Sequence, residues 1–240
     1  MEGLLTWKNF DTEKIIFEEP KKVKGLDDKI KTWRINIKYK YPSGKISKLS
    51  IKTPILFSWG IQENNFSGNS YTIPLVMYNS NEGPTKDERK TIKLMESILK
   101  QCKNHLNLDK IKEQYNIEHM VNNMDIFYRK KDKGQIIPGV SPILYPRLRT
   151  AFRENKNDPL KITTGIYGIN NEEIDYSSIF NQKCKVVVDL IVDSIFIGVK
   201  PSIQMKIDTI IVVQKFENVR RLYVENIQED NENEEIAKID

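Results

Sequence analysis

Two cysteines in 240 residues, Cys102 and Cys184, are too few to staple a secreted scaffold, which points to a reducing compartment inside a cell. Histidine is as scarce, with only His105 and His119. These four side chains match the spacing of no familiar zinc module. Cys102 falls on the apolar stripe of a helix and reads as core, while His105 and His119 read as surface residues, so neither metal nor cofactor is expected. Long hydrophobic runs are missing too. The most apolar stretch, VVVDLIVDSIFIGV, is cut by Asp189 and Asp193 and is too short to span a bilayer. The first residues, MEGLLTWKNFDTEK, lack the basic leader and apolar run of a secretory signal, so no membrane association is expected. Catalytic signatures are absent as well: there is no phosphate-binding glycine loop, no nucleophile elbow and no His-Glu-x-x-His. Asp189 and Asp193 could suggest the carboxylate pair of a nuclease, but no further carboxylate, Lys or His is placed beside them, and they read as solvated strand positions. The expectation is a protein that binds and is not an enzyme.

What is present is charge, unevenly placed. The chain totals +5. Its last sixteen residues, ENIQEDNENEEIAKID, hold seven acidic side chains against Lys238 alone, a net −6 that leaves +11 on residues 1–224. A basic body with an acidic tail suits a polyanion binder whose tail occupies the basic surface until it is displaced, although a solubilising terminus carries the same charges. The chain is expected to divide into a body, 1–224, and a disordered tail, 225–240, with Glu229, Asp230, Glu232, Glu234, Glu235 and Asp240 as partner-binding tail residues.

Hydrophobic periodicity gives the elements. Residues 1–25 read as an entry segment with a basic cluster, Lys21, Lys22 and Lys24. In KTWRINIKYKY, Trp33, Ile35, Ile37, Tyr39 and Tyr41 alternate with Arg34, Asn36, Lys38 and Lys40, a strand with one apolar and one cationic face. Pro42, Ser43 and Gly44 turn it into a hairpin with KISKLSIKTPILFSW. SYTIPLVMY is a further strand, with Pro74 marking an edge or bulge. Thr85 and Glu88 have capping-box spacing ahead of Ile92, Met95, Leu99, Cys102 and Leu106, an amphipathic helix within a helical insertion over about 85–120. A shorter helix follows through Leu108, Ile111 and Tyr115. LKITTGIYGI reads as a strand and DYSSIF as a helical turn. Two long strands, CKVVVDLIVDSIFIG and SIQMKIDTIIVVQKF, join at Gly198 to Pro201. In the second, Ile203, Met205, Ile207, Thr209, Ile211 and Val213 are expected on one face with Gln204, Lys206 and Asp208 opposite, until Ile210 and Val212 make both faces apolar. The fold class is β-rich, α+β, with an OB-fold-like small barrel and an inserted helix as the expected form and a sandwich as the alternative.

The segment IFYRKKDKGQIIPGVSPILYPRLR, residues 126–149, interleaves aromatic rings with fixed positive charge. Single-stranded nucleic acid offers a line of phosphates and free base faces, so it calls for both. Tyr128 beside Arg129, Lys130 and Lys131, and Tyr145 beside Arg147 and Arg149, supply the pairing twice. Arg34, Lys38 and Lys40 on the first strand extend it, and Trp59 is a further stacking candidate. Phe127, Leu148 and Trp33 read as core.

In this order and spacing, KTPILFSWGIQ, FYRKKDKGQIIPGVSPILYPRL and KCKVVVDLIVDSIFIGVKPSIQMKIDTIIVV resemble the single-stranded DNA-binding proteins of nucleocytoplasmic large DNA viruses, themselves similar to a phage single-stranded DNA-binding protein with an OB-fold and an acidic tail. The motifs are Pro142, Tyr145, Arg147 and Leu148, and Ser194 to Gly198. The resemblance implies a protein that coats single-stranded DNA during viral replication, recombination or repair, in the host cytoplasm or at a viral replication site. It implies that the tail contacts replication proteins, and it leaves homo-oligomer formation open. An RNA-binding module and a virion-associated interaction protein remain alternatives.

Overall fold

The computed structural model describes residues 4–23, 32–64, 70–115, 121–151 and 161–216. Its strands are β1 (Ile15–Phe17), β2 (Lys21–Val23), β3 (Thr32–Lys40), β4 (Ile46–Lys52), β5 (Leu56–Ser58), β6 (Gln62–Asn64), β7 (Ser70–Thr72) and β8 (Leu75–Val76). After the helices α1 (Lys86–Leu106) and α2 (Asp109–Tyr115) come β9 (Lys131–Asp132), β10 (Gln135–Ile136), β11 (Ile143–Leu144), β12 (Arg147–Leu148), β13 (Gly165–Gly168), β14 (Cys184–Ile197) and β15 (Ser202–Lys215). The β-rich architecture with one long helix agrees with the hydrophobic periodicity.

The main sheet runs β1-β3-β4-β14-β15-β12-β7-β6, with β2, β5, β8, β11 and β13 branching from it. Among the described residues its end strands β1 and β6 do not pair, so the sheet is open. Its curvature comes from β3, β4 and β14, each of which pairs with the other two over different lengths. The entry segment is part of this sheet: β1 and β2 both pair with β3, and Leu5 bridges Ile51 in the core. Strands of three residues carry too little periodicity to be read in advance.

Alternation in β3 is realised as expected, with Ile35, Ile37 and Tyr39 buried and Arg34, Asn36, Lys38 and Lys40 on the other face. In β15 it is not. Ile203, Met205 and Ile207 are buried, but the buried set then passes to Ile210 and Val212. The register explains the change: Leu190 of β14 faces Ile207 while Asp189 faces Thr209, so Asp208 is an extra residue. A one-residue bulge turns every later side chain to the opposite face. Pro74, which has no N–H for a ladder, splits the expected SYTIPLVMY strand into β7, paired with β6 and β12, and β8, paired with β5 and β11.

Helix α1 opens on the full capping box: Glu88 N–H donates to Thr85 Oγ1 at 3.3 Å, and Thr85 N–H donates to Glu88 Oε2 at 2.7 Å. Leu94, Met95, Ile98, Cys102 and Leu106 enter the same core cluster as the strands, so the helix forms one wall of that core. His105 is not a surface residue. Its ring stacks on Phe17 of β1 at 4.2 Å, and its Nε2 is buried without a hydrogen-bond partner among the described residues.

Candidate nucleic-acid interface

Within residues 126–149, burial of Ile126, Phe127, Ser141, Pro142, Leu144, Pro146 and Leu148 anchors a segment that leaves Tyr128, Tyr145 and Arg147 exposed. Tyr128 is tied by two backbone hydrogen bonds to Ile143, at 2.8 and 2.9 Å. That bridge aims both tyrosines of the segment at solvent, Tyr128 at 56% and Tyr145 at 45% exposure, and sets their rings edge to face at 6.0 Å. Burial first, and then the neighbouring Tyr128, push the Tyr145 phenol above its ordinary pKa. Between the tyrosines, β9 and β10 make a separate two-stranded sheet closed by Lys133 and Gly134, both at positive φ. A two-residue turn of that kind matches the twist of a tight hairpin. Lys130 and Lys131 are exposed on this arm.

Arg147 on β12 lies opposite Lys206 of β15, and Arg34 on β3 lies opposite Phe196 of β14. Three strand steps separate the two arginines, yet Arg147 feels the charge of Arg34. Burial first, and then the positive charge of Arg34, pull the Arg147 guanidinium below its ordinary pKa. Arg34 Nε is buried without a hydrogen-bond partner among the described residues. Among the described residues neither arginine forms an ion pair, whereas Lys206 between them is matched by Asp193 at 3.1 Å.

The remaining candidate residues are placed otherwise. Arg129 meets Glu96 of α1 at 2.9 Å and Asp125 at 3.5 Å and lies over the Phe127 ring, a brace between segment and helix. Arg149 is paired with Asp208. Lys38 lies 3.9 Å from Glu18, whose pKa is lowered first by the hydrogen bond from Asn36 and then by Lys38 and Lys21. Lys40 is exposed at the far end of β3. Trp59 is half-buried and edge-on to Phe57 at 5.6 Å, away from the tyrosine pair. The tail residues Glu229, Asp230, Glu232, Glu234, Glu235 and Asp240 lie outside the described residues, as does His119.

No group of three or more His, Cys, Asp or Glu side chains that could hold a metal occurs among the described residues. Cys102 and Cys184 are buried thiols, pushed up to about 12 and about 11 by desolvation. Asp189 and Asp193 do not act as a free pair: burial raises Asp189, which also feels Lys52 and Asp208, and Asp193 is committed to Lys206. No helix among the described residues is long and apolar enough to cross a membrane.

Residues 8–238 match a family described as a protein of unknown function, DUF2738. The chain belongs to that family. A relative, the Early 31 kDa protein of Frog virus 3 (isolate Goorha), is 35% identical over 214 residues, covering 86% of this chain and 78% of the relative. A viral homologue is what the resemblance read from the sequence implied. Two loose structural likenesses accompany it. One is gp2.5, a single-stranded DNA-binding protein encoded by bacteriophage T7, with a TM-score of 0.43 and 11% identity over 80% of this chain and 100% of that one. The other is the single-stranded DNA-binding protein of bacteriophage Enc34 in complex with single-stranded DNA, with a TM-score of 0.39 and 12% identity over 83% and 98%.

Proposed function

We propose that this DUF2738 protein binds single-stranded DNA without reading its sequence, by an OB-like groove whose floor is the outer face of β3, β14, β15 and β12. The observation that carries the reading is that Arg147 feels the charge of Arg34 while neither arginine forms an ion pair among the described residues, on a surface continuous with two exposed tyrosines. Like charges held together raise the energy of the empty protein. A phosphate placed between them removes that cost and gains two charge-assisted hydrogen bonds. Tyr128 and Tyr145 then supply ring faces to the flanking bases, each stacked base contributing about 1 to 3 kcal/mol. Lys130 and Lys131 on the hairpin extend the positive path. Nothing in this scheme requires chemistry on the strand, so the protein is a coat and not a catalyst. Its place is viral DNA replication, recombination or repair, within the infected cell. The acidic tail competes for the groove and serves as the contact for replication proteins, and neighbouring copies self-associate along the strand.

The deciding experiment is fluorescence anisotropy of a labelled oligo-dT across a salt series, with duplex DNA and RNA of one sequence as competitors. Tight binding that weakens steeply with salt and resists both competitors is expected. Preference for RNA would convert the reading into an RNA-binding module. Weak, unselective binding would overturn it in favour of a protein partner.

A further inference from the structure

A second feature lies further along the sheet face that carries the tyrosine pair. A cavity of about 600 Å³ opens there, with Phe57, Trp59, Val76, Tyr78 and Phe216 in its wall and Lys185 at its rim. Phe57 is edge-on to Trp59 at 5.6 Å and 6.0 Å from Phe216, and Lys185 Nζ stands 5.9 Å from the centre of the Phe216 ring. Apolar rings around an open, partly polar hollow suit a flat, aromatic occupant with a polar edge.

The strand register connects this hollow to the proposed groove. Val76 in the wall faces Phe57 on one side and Ile143 on the other, and Ile143 faces Tyr128. Directly paired residues project from the same side of a sheet, so Tyr128 and Val76 share a surface and stand two strand spacings, about 10 Å, apart. The second link is Tyr78. Its hydroxyl donates to the carbonyl of Gly139 at 3.4 Å and its N–H donates to Ser141 Oγ at 3.0 Å, both in the segment that bears the two tyrosines. At the mouth, the Glu88 carboxylate is occupied by the helix cap. Asn81 and Glu82 remain there to meet donors and acceptors on a base edge.

We propose that this cavity receives one unstacked base of the strand that crosses Tyr128 and Tyr145, with Lys185 meeting the phosphate beside it. The inference rests on the single-stranded DNA reading above and adds to it a second, separable subsite.

The test uses the full chain and two variants at the cavity rim, Phe216→Ala and Lys185→Glu, with oligo-dT at the short and long ends of the usual range, about 4 and about 16 nucleotides. Loss of one stacked base predicts that Phe216→Ala binds the long oligomer about 5- to 100-fold more weakly. The short oligomer, held by the tyrosines and arginines, keeps its affinity in both variants. Lys185→Glu is a surface change that does not threaten folding, and it should show the same length-selective loss. If both variants bind the long oligomer as the parent does while Tyr145→Ala loses affinity, the cavity is off the path, its aromatic wall belongs to a protein side chain, and the proposal is overturned. If Tyr145→Ala and Arg147→Ala also leave binding intact, the failure lies with the groove reading itself.

Discussion

Asp208, the residue by which β15 exceeds β14 at the Asp189–Leu190 step, is the partner of Arg149. The bulge pushes its carboxylate out of the strand's alternation and presents it to the segment that carries the tyrosines. Arg149 therefore helps hold that segment in register, while Arg147, two residues earlier, makes no ion pair among the described residues.

The two arginines should separate cleanly in experiment. The Arg149–Asp208 side chains are 40% and 45% exposed, so solvent screens the pair and Arg149→Ala should cost at most about 1 kcal/mol. That is a fall in Tm of about 2 to 4 °C for a domain of this size. Arg147→Ala should leave Tm nearly unchanged and lower the slope of log affinity against log salt by about one. Thermal melts and a salt series on both variants give the comparison.

Arg34 offers the opposite sign. Among the described residues its Nε is buried and unsatisfied, and a group in that state costs about 1 to 3 kcal/mol. Arg34→Met keeps the aliphatic bulk and removes both the orphaned nitrogen and the repulsion with Arg147. Tm should hold or rise while affinity for oligo-dT falls. A variant that lost both would assign Arg34 to the architecture alone.

Tyr145→Ala should weaken binding by about 5- to 100-fold, the range expected for one stacked base. Tyr145→Phe should bind as the parent does, because the ring and not the hydroxyl makes the contact. Equal loss in both variants would instead indicate a hydrogen-bonding role for the phenol. Equilibrium titration at constant salt reads the difference.

His105 predicts a dependence of stability on acid. Burial lowers its pKa, with Glu19 pulling weakly the other way, so the folded protein holds the imidazole neutral. Below the ordinary value of 6.5 the unfolded chain takes up the proton first, and stability falls as pH drops from there toward the lower folded pKa. Denaturant melts at pH 7.5 and 5.5 should show this loss. His105→Phe, which keeps a ring against Phe17, should reduce it.

Truncation of residues 225–240 removes a net −6 from the chain. Affinity for oligo-dT should rise, most at low salt, and the gain should shrink as salt screens the tail from the basic surface. Equal affinity with and without the tail at every salt concentration would dismiss it as a competitor.

Local rules made part of this molecule legible. The strict alternation around Ile35, Ile37 and Tyr39 identifies β3 and its cationic face, and Thr85 with Glu88 marks the start of α1 to the residue. The interleaving of rings and cations in 126–149 likewise singles out Tyr128 and Tyr145, which the fold exposes and brings into contact. What could not be read depends on distant partners. Arg129 looks like any basic residue until Glu96, 33 positions away, arrives beside it. Arg149 looks like Arg147 until the bulge at Asp208 is known. The aromatic cavity joins β5, β8 and the end of β15, so no local run of sequence announces it.

The position of β14 has a consequence for synthesis on the ribosome. This strand pairs with β3, β4, β5 and β15, yet three of those four partners precede it by more than a hundred residues. The apolar faces of β3 and β4 must wait, uncovered, until residues 184–197 leave the exit tunnel. The hairpin with β15 can close at once through the short turn at 198–201, but only after β14 and β15 have both emerged. Assembly is therefore late and cooperative, and truncated nascent chains ending before β14 should engage chaperones in place of folding.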